Sequence, residues 1–133
     1  MANDKILNGV SAADMMEILR GVGLPAHDIT KPNSGNKSKA LSSLAHGVKF
    51  IVFLESPADA NRFNVAEFWC GFTNQVSLKA VNEWNRTHNF LKAYVGDNGY
   101  LNLEMHLLAS RVVLSAVEHH VHLWAAGVGE FVS

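Results

Sequence analysis

Between Ala80 and Met105 the chain (AVNEWNRTHNFLKAYVGDNGYLNLEM) has to end a helix, run a strand, reverse direction and run a second strand. Ser77 stands where an N-cap acceptor belongs, and Leu78, Val81, Trp84 and Asn85 then share one broad helical face, so a helix is expected over Leu78–Arg86. Phe90–Val95 and Tyr100–Met105 read as strands. Between them Gly96-Asp97-Asn98-Gly99 supplies residues that tolerate positive φ, the mark of a hairpin. The cluster Asn82-x-Trp84-Asn85 falls where the helix must stop. A carboxamide can satisfy orphan backbone groups at a helix end, and an indole N–H can find a backbone carbonyl. These three residues are therefore expected to be a structural signature that fixes the angle between the helix and the strand Phe90–Val95.

The rest of the chain extends this pattern. Ser11 followed by Asp14 marks a helix start, Met15, Ile18, Leu19 and Val22 recur on one face, and Gly21, Gly23 and Pro25 end the helix, giving Ala12–Gly21. His27–Lys31 and Ala40–Ala45 are expected to be strands, separated by the polar segment Lys31–Lys39, which reads as a loop or hairpin tip. Val48–Leu54 is almost unbroken in β-branched, aromatic and aliphatic residues and is expected to be a central strand, covered on both faces or by a partner on one. A loop over Ser56–Asn61 precedes Phe63–Phe72, with Phe68, Cys70 and Phe72 on one side and Val65, Glu67 and Trp69 on the other. Ser110–Phe131 has helical periodicity, with Val113, Val117, His120, Trp124 and Phe131 in one sector, and is expected to be one amphipathic helix frayed near Gly127 and Gly129. The order is α-ββββ-α-ββ-α, an α+β class with helices packed on a mainly antiparallel sheet. No repeat or linker interrupts residues 1–133, so one domain is expected.

Charge and cysteine content narrow the function. The formal net charge is −1, without the basic footprint that nucleic acid or an anionic membrane surface requires, so neither is expected as a partner. The lone Cys70 forms no intrachain disulfide, and MANDKILNGV has neither the n-region nor the h-region of a secretory signal; a cytoplasmic location is the expectation. Hydrophobic residues at 48% make a permanent subunit interface plausible.

No side chains announce a reaction. Cys70 lies inside a strand with no base or helix N-terminus beside it, the setting of a small buried hydrophobe. Glu67 and Glu104 sit within strands and could converge across the sheet, although strand carboxylates more often face solvent. Lys31, Lys37 and Lys39 with Gly35 lack the spacing and the helix of a phosphate loop. His119 and His122 have the three-residue spacing of a helical metal pair, while His120 points elsewhere and no HExxH arrangement is present; a polar helix face is the favoured reading. No catalytic residue, cofactor or metal is therefore expected.

Ser77–Phe90, followed by Ala93-Tyr94-Val95-Gly96-Asp97-Asn98-Gly99 and Leu101-Asn102-Leu103-Glu104-Met105, resembles the helix-to-strand signature of the YbjN-type bacterial proteins. That family is described as candidate sensory transduction regulators, with a fold similar to the type III secretion chaperones. The resemblance implies a non-enzymatic protein that binds other proteins, chaperone-like or regulatory, often as a homodimer, and it carries over no catalytic residue. The C-terminal helix departs from many members in having fewer acidic residues and three histidines. The alternative is a small-molecule or metal sensor using the sheet concavity with His119 and His122. An enzyme built on a carboxylate pair or Cys70 is the third reading.

Overall fold

The structure, a computed structural model, describes residues 5–32, 38–59 and 61–133. The first strand, β1, is Ile6–Asn8, and helix α1 is Ala12–Gly21. Strands β2 (His27–Asp28), β3 (Lys39–Ala45), β4 (Val48–Pro57) and β5 (Phe63–Gly71) follow. Helix α2 (Leu78–Thr87) leads to β6 (Lys92–Val95), β7 (Leu101–Leu108), β8 (Ser110–Val113) and α3 (Leu114–Val132). Six strands form one antiparallel sheet in the order β2-β3-β4-β5-β7-β6, and β1 pairs with β8 in a separate ribbon. The class is α+β with a mainly antiparallel sheet.

Local chemistry sets the boundaries of α1. Ser11 Oγ accepts from Asp14 N at 3.0 Å and Asp14 Oδ2 accepts from Ser11 N at 3.2 Å, a reciprocal capping box. At the other end Gly23, at φ +91°, lets its N–H reach Arg20 O while Leu24 N–H reaches Leu19 O, the Schellman arrangement. The β3–β4 hairpin closes on His46-Gly47, both at positive φ, with Ala45 opposite Val48. That pattern matches the right-handed twist of the strands it joins.

Alternation divides the sheet into two unlike faces. Leu41, Phe50, Val52, Leu54, Ala66, Phe68, Cys70 and Leu103 are fully buried on the first face, against Met15 and Leu19 of α1 and Val117, Val121, Trp124 and Val128 of α3. Trp124 is the centre of this layer: its ring centroid lies 5.6 Å from Phe50 and 5.7 Å from Phe68, and those two rings are 6.1 Å apart. Of the two coverings expected for Val48–Leu54, the chain does not itself cover both faces: Ile51 and Phe53 point away from the helices and are only half-buried.

Other expectations also change. Residues 110–113 are not the first turn of the last helix. They are β8, with Ile6 opposite Val113 and Leu7 opposite Val112, and Arg111 takes φ +59° at the bend. The last helix is continuous to Val132. A Cβ at Gly127 would enter the Leu91 side chain, and one at Gly129 would strike the His46 ring, so these glycines are sites of close approach, not of fraying. Its buried face holds Val121 where His120 was expected, because Val117, Val121, Trp124 and Val128 point inward. Strand β4 also runs on to Pro57, into the expected Ser56–Asn61 loop, because its pairing with β5 continues to Pro57 opposite Phe63. The loop tip at 33–37, including Gly35 and Lys37, lies outside the described residues.

Replacing Trp124 by Ala is expected to cost about 3–5 kcal/mol of stability in urea unfolding, the range for deleting a large core aromatic. Trp124→Phe should cost clearly less. It keeps a ring between Phe50 and Phe68 and removes an indole N–H that finds no acceptor among the described residues.

Candidate functional site

Helix α2 is tied to the sheet's edge by its own C-terminal residues. Its N-terminus is fixed by Ser77 Oγ, which accepts from Ala80 N at 3.1 Å. Eight residues on from Ser77, the Asn85 carboxamide pairs twice with one residue of the edge strand: Nδ2 donates to Ala93 O at 2.9 Å and Ala93 N donates to Oδ1 at 2.8 Å. Trp84 Nε1 donates to Leu91 O at 3.0 Å, and its ring stands edge-on to Phe131 of α3 at 4.7 Å. The side chain thus replaces the neighbouring strand that β6 lacks. Asn82 is exposed, and among the described residues no side-chain hydrogen bond engages it. Leu78, expected to share the packed face, is 68% exposed, and Val81 is the buried residue of this helix.

The second face of the sheet is the candidate binding surface. Register places Ser42, Ile51, Trp69, Glu104 and Lys92 in one row across five strands, and Ala40, Phe53, Glu67 and His106 in the next. Glu55, Val65 and Leu108 form a third. Helices α1 and α3 cover the opposite face, so the aromatic and aliphatic members of these rows remain half-exposed. Trp69 is held rigidly among them. Its Nε1 donates to Asn102 Oδ1 at 2.9 Å, and its ring lies so close over Gly71 that a Cβ there would come within 2.8 Å of it. Asn102 in turn donates to Tyr100 O at 3.2 Å. Asn102 escaped the sequence reading because nothing local in Leu101–Leu103 shows that it meets an indole 33 residues earlier.

Three carboxylates cross this face diagonally, Glu55 on β4, Glu67 on β5 and Glu104 on β7. Glu104 pairs with Lys92 Nζ at 3.1 Å, and Glu67 lies 3.3 Å from His106 Nε2. Burial raises the Glu67 pKa above the usual carboxylate value, and its hydrogen bond with Glu55 adds to that rise, against the opposing pull of His106. Among the described residues no ion pair engages Glu55. Tyr94 is also raised, first by burial and then by the Glu104 charge. Glu67 and Glu104 therefore share a face and feel each other, on an open sheet rather than in an enclosed cleft.

The remaining candidates stay apart. Cys70 is fully buried on the first face, where desolvation pushes its thiol up to about 12. His119 and His122 are exposed on α3, and among the described residues no group of three metal-ligating side chains converges. His120 Nδ1 donates to Ala116 O at 2.7 Å, and its ring stands edge-on to Phe90. Lys31 and Lys39 border an open groove of about 290 Å³ beside Ile29, Ile51 and Phe53. No described helix is long and apolar enough to cross a membrane.

Asn85→Ala removes both bonds to Ala93 and is expected to cost about 1–3 kcal/mol in chemical unfolding, whereas Asn82→Ala should stay within about 0.5 kcal/mol of the parent. Asn85→Asp keeps the acceptor for Ala93 N–H but sets a carboxylate against Ala93 O, so its deficit should shrink as pH falls and the acid protonates.

The YbjN family model, described as "Putative bacterial sensory transduction regulator", matches residues 11–133. No curated protein and no solved structure matches the chain. The family description is that of regulators rather than of enzymes. Since the match takes in every helix and all strands but β1, this chain belongs to the YbjN family.

Proposed function

We propose that this chain is a regulatory protein-binding module. Its second sheet face receives a segment of another protein that carries alternating basic and apolar side chains. One observation carries the reading: Ile51, Phe53, Val65, Trp69 and Tyr94 lie half-exposed beside Glu55, Glu67 and Glu104 on a face that α1 and α3 leave open. Burying such aromatic and aliphatic surface supplies association free energy, and carboxylates among it select the sign of the partner. An arriving guanidinium would meet Glu55 and Glu67, neighbouring carboxylates on adjacent strands that each hold the other's charge in disfavour. The locked indole of Trp69 offers it a cation–π platform at small entropic cost.

The charge pattern also argues against a second copy on this face. Two-fold pairing brings a patch against itself, and the acidic diagonal would then face its own image. A homodimer, if formed, would use another surface. A sensor role for His119 and His122 has no converging third ligand among the described residues to favour it.

The test uses two synthetic peptides of about ten residues, one alternating arginine with valine and one alternating glutamate with valine. Backbone NMR of the chain should show shifts centred on Ile51, Phe53, Glu67, Trp69 and Glu104 with the basic peptide alone. The affinity should weaken as salt rises and fall by about tenfold, roughly 1.4 kcal/mol, in the double variant Glu55→Gln/Glu67→Gln. That variant removes two neighbouring carboxylates that disfavour each other's charge, so its melting temperature at pH 7 should not fall. Equal binding of both peptides, or shifts centred on another surface, would overturn the proposal, as would self-association through these rows.

A further inference from the structure

Where α2 ends, its cap residue reaches across to the other end of the chain. His88 has extended backbone, φ −128° and ψ 132°, and its ring lies parallel to the Trp84 indole with centroids 3.5 Å apart and planes 10° apart. The two ring nitrogens face different elements. Nδ1 is 2.9 Å from Trp84 O on α2 and 3.0 Å from Thr87 Oγ1. Nε2 is 3.0 Å from Glu130 Oε1 in the last turn of α3.

The donor count decides the protonation state. A backbone carbonyl and a carboxylate oxygen both only accept. Thr87 Oγ1 is positioned to donate to Glu83 O at 2.9 Å, which leaves its oxygen free to accept from Nδ1. A neutral ring has one N–H. If Nδ1 carries it, a bare Nε2 lone pair faces the Glu130 carboxylate; if Nε2 carries it, a bare Nδ1 lone pair faces Trp84 O. The Thr87 hydroxyl can turn to donate to a bare Nδ1, but only the imidazolium donates to Trp84 O and to Glu130 at once, and stacking on an indole favours the cation further.

We propose that His88 is a proton-operated latch between α2 and α3: with both protons the ring bridges Trp84 O and Glu130 and pins the last turn of α3 on Trp84, and with one proton it serves only one of the two, so the bridge is broken. Glu130 is the charged group that faces the ring from α3. On α2, Glu83 and Arg86 pair with each other at 2.6 Å, and Lys92 at the start of β6 is engaged by Glu104. The latch thus has one opposing charge and little local competition. What it holds is Phe131, which packs on Trp84 at 4.7 Å and on Phe72 at 5.5 Å. Trp84 and Asn85 in turn hold α2 on the edge strand, so the proton acts on the element that closes the sheet.

The sign follows from the direction of the shift. The His88 pKa is raised, first by the hydrogen bond to Glu130 and with a further contribution from Trp84 O. Its stabilisation is fully present below the ordinary histidine value of about 6.5 and is lost as pH rises through the higher folded value.

Ring-nitrogen NMR of the full chain tests this directly. His88 should titrate above the ordinary histidine value of about 6.5. The contact between the Trp84 and Phe131 rings, seen as a nuclear Overhauser effect, and the protection factors of Phe131 and Val132 should fall over the same pH range. Glu130→Gln, at a surface position, provides the second arm. Its carboxamide can donate to a neutral Nε2, so the last turn should stay docked as pH rises and the pH dependence should vanish. A His88 midpoint at or below the ordinary histidine value of about 6.5, or docking of Phe131 that does not change through the His88 titration, would overturn the proposal. So would an unchanged pH dependence in Glu130→Gln.

Discussion

The packing of Trp124 edge-on to Phe50 and tilted against Phe68 fixes where everything else lies. Those two phenylalanines belong to β4 and β5, the middle of the six-stranded sheet, so the tryptophan sets the line along which α3 crosses it. From that line follow the two close approaches at Gly127 and Gly129, where a larger side chain would push the helix off Leu91 and His46. The helix is held so near the sheet that its indole is fully buried, and the N–H has no acceptor there. An unmade hydrogen bond of this kind costs about 1–3 kcal/mol, which shape complementarity in the aromatic layer has to outweigh.

A six-stranded sheet has two faces and two edges, and this chain finishes only some of them. One face is closed by α1 and α3. One edge is kept short, since β2 is two residues long, and the other is closed by the Asn85 carboxamide and by α2. The edges are thus protected against unplanned pairing with another chain. The open face is defended differently, by charge: carboxylates stand among its aromatics, and like-charged copies repel one another there. On the proposed reading, such a surface would resist pairing with its own copies and stay open to a partner of opposite sign.

Much of this was legible wherever the signal was local. The capping box at Ser11 and Asp14 and the glycine at position 23 fix both ends of α1, so its expected and observed limits agree. The alternation in β5 separated Phe68 and Cys70 from Glu67 and Trp69 correctly. What was missed depends on distant pairing. Ile6–Asn8 is three residues long and carries no strand pattern of its own; it exists because Ser110–Val113 lies beside it. Those four residues precede a helix without a break in periodicity, and only the positive φ of Arg111 turns them aside. The open face was legible only in part, in the side shared by Glu67 and Trp69 and the possible convergence of Glu67 with Glu104, and Glu55 was missed for a related reason. Glu55, Glu67 and Glu104 are 12 and 37 positions apart, and their diagonal appears only when the register of β4, β5 and β7 is known.

The carboxylates show how such a face can be both specific and restrained. Glu67 is covered enough for burial to disfavour its charge, yet it is kept beside Glu55 and within reach of Glu104. In the free protein this arrangement is a local penalty, relieved in part by His106 and Lys92. A partner cation placed between Glu55 and Glu67 would remove the penalty and add charge-assisted hydrogen bonds. A neutral apolar segment would bury the same acids without compensating them, at a cost comparable to leaving buried polar groups unpaired. On the proposed function, discrimination would rest on what the wrong partner fails to neutralise. The indole of Trp69, already fixed by Asn102, adds contact area whose ordering has been completed during folding.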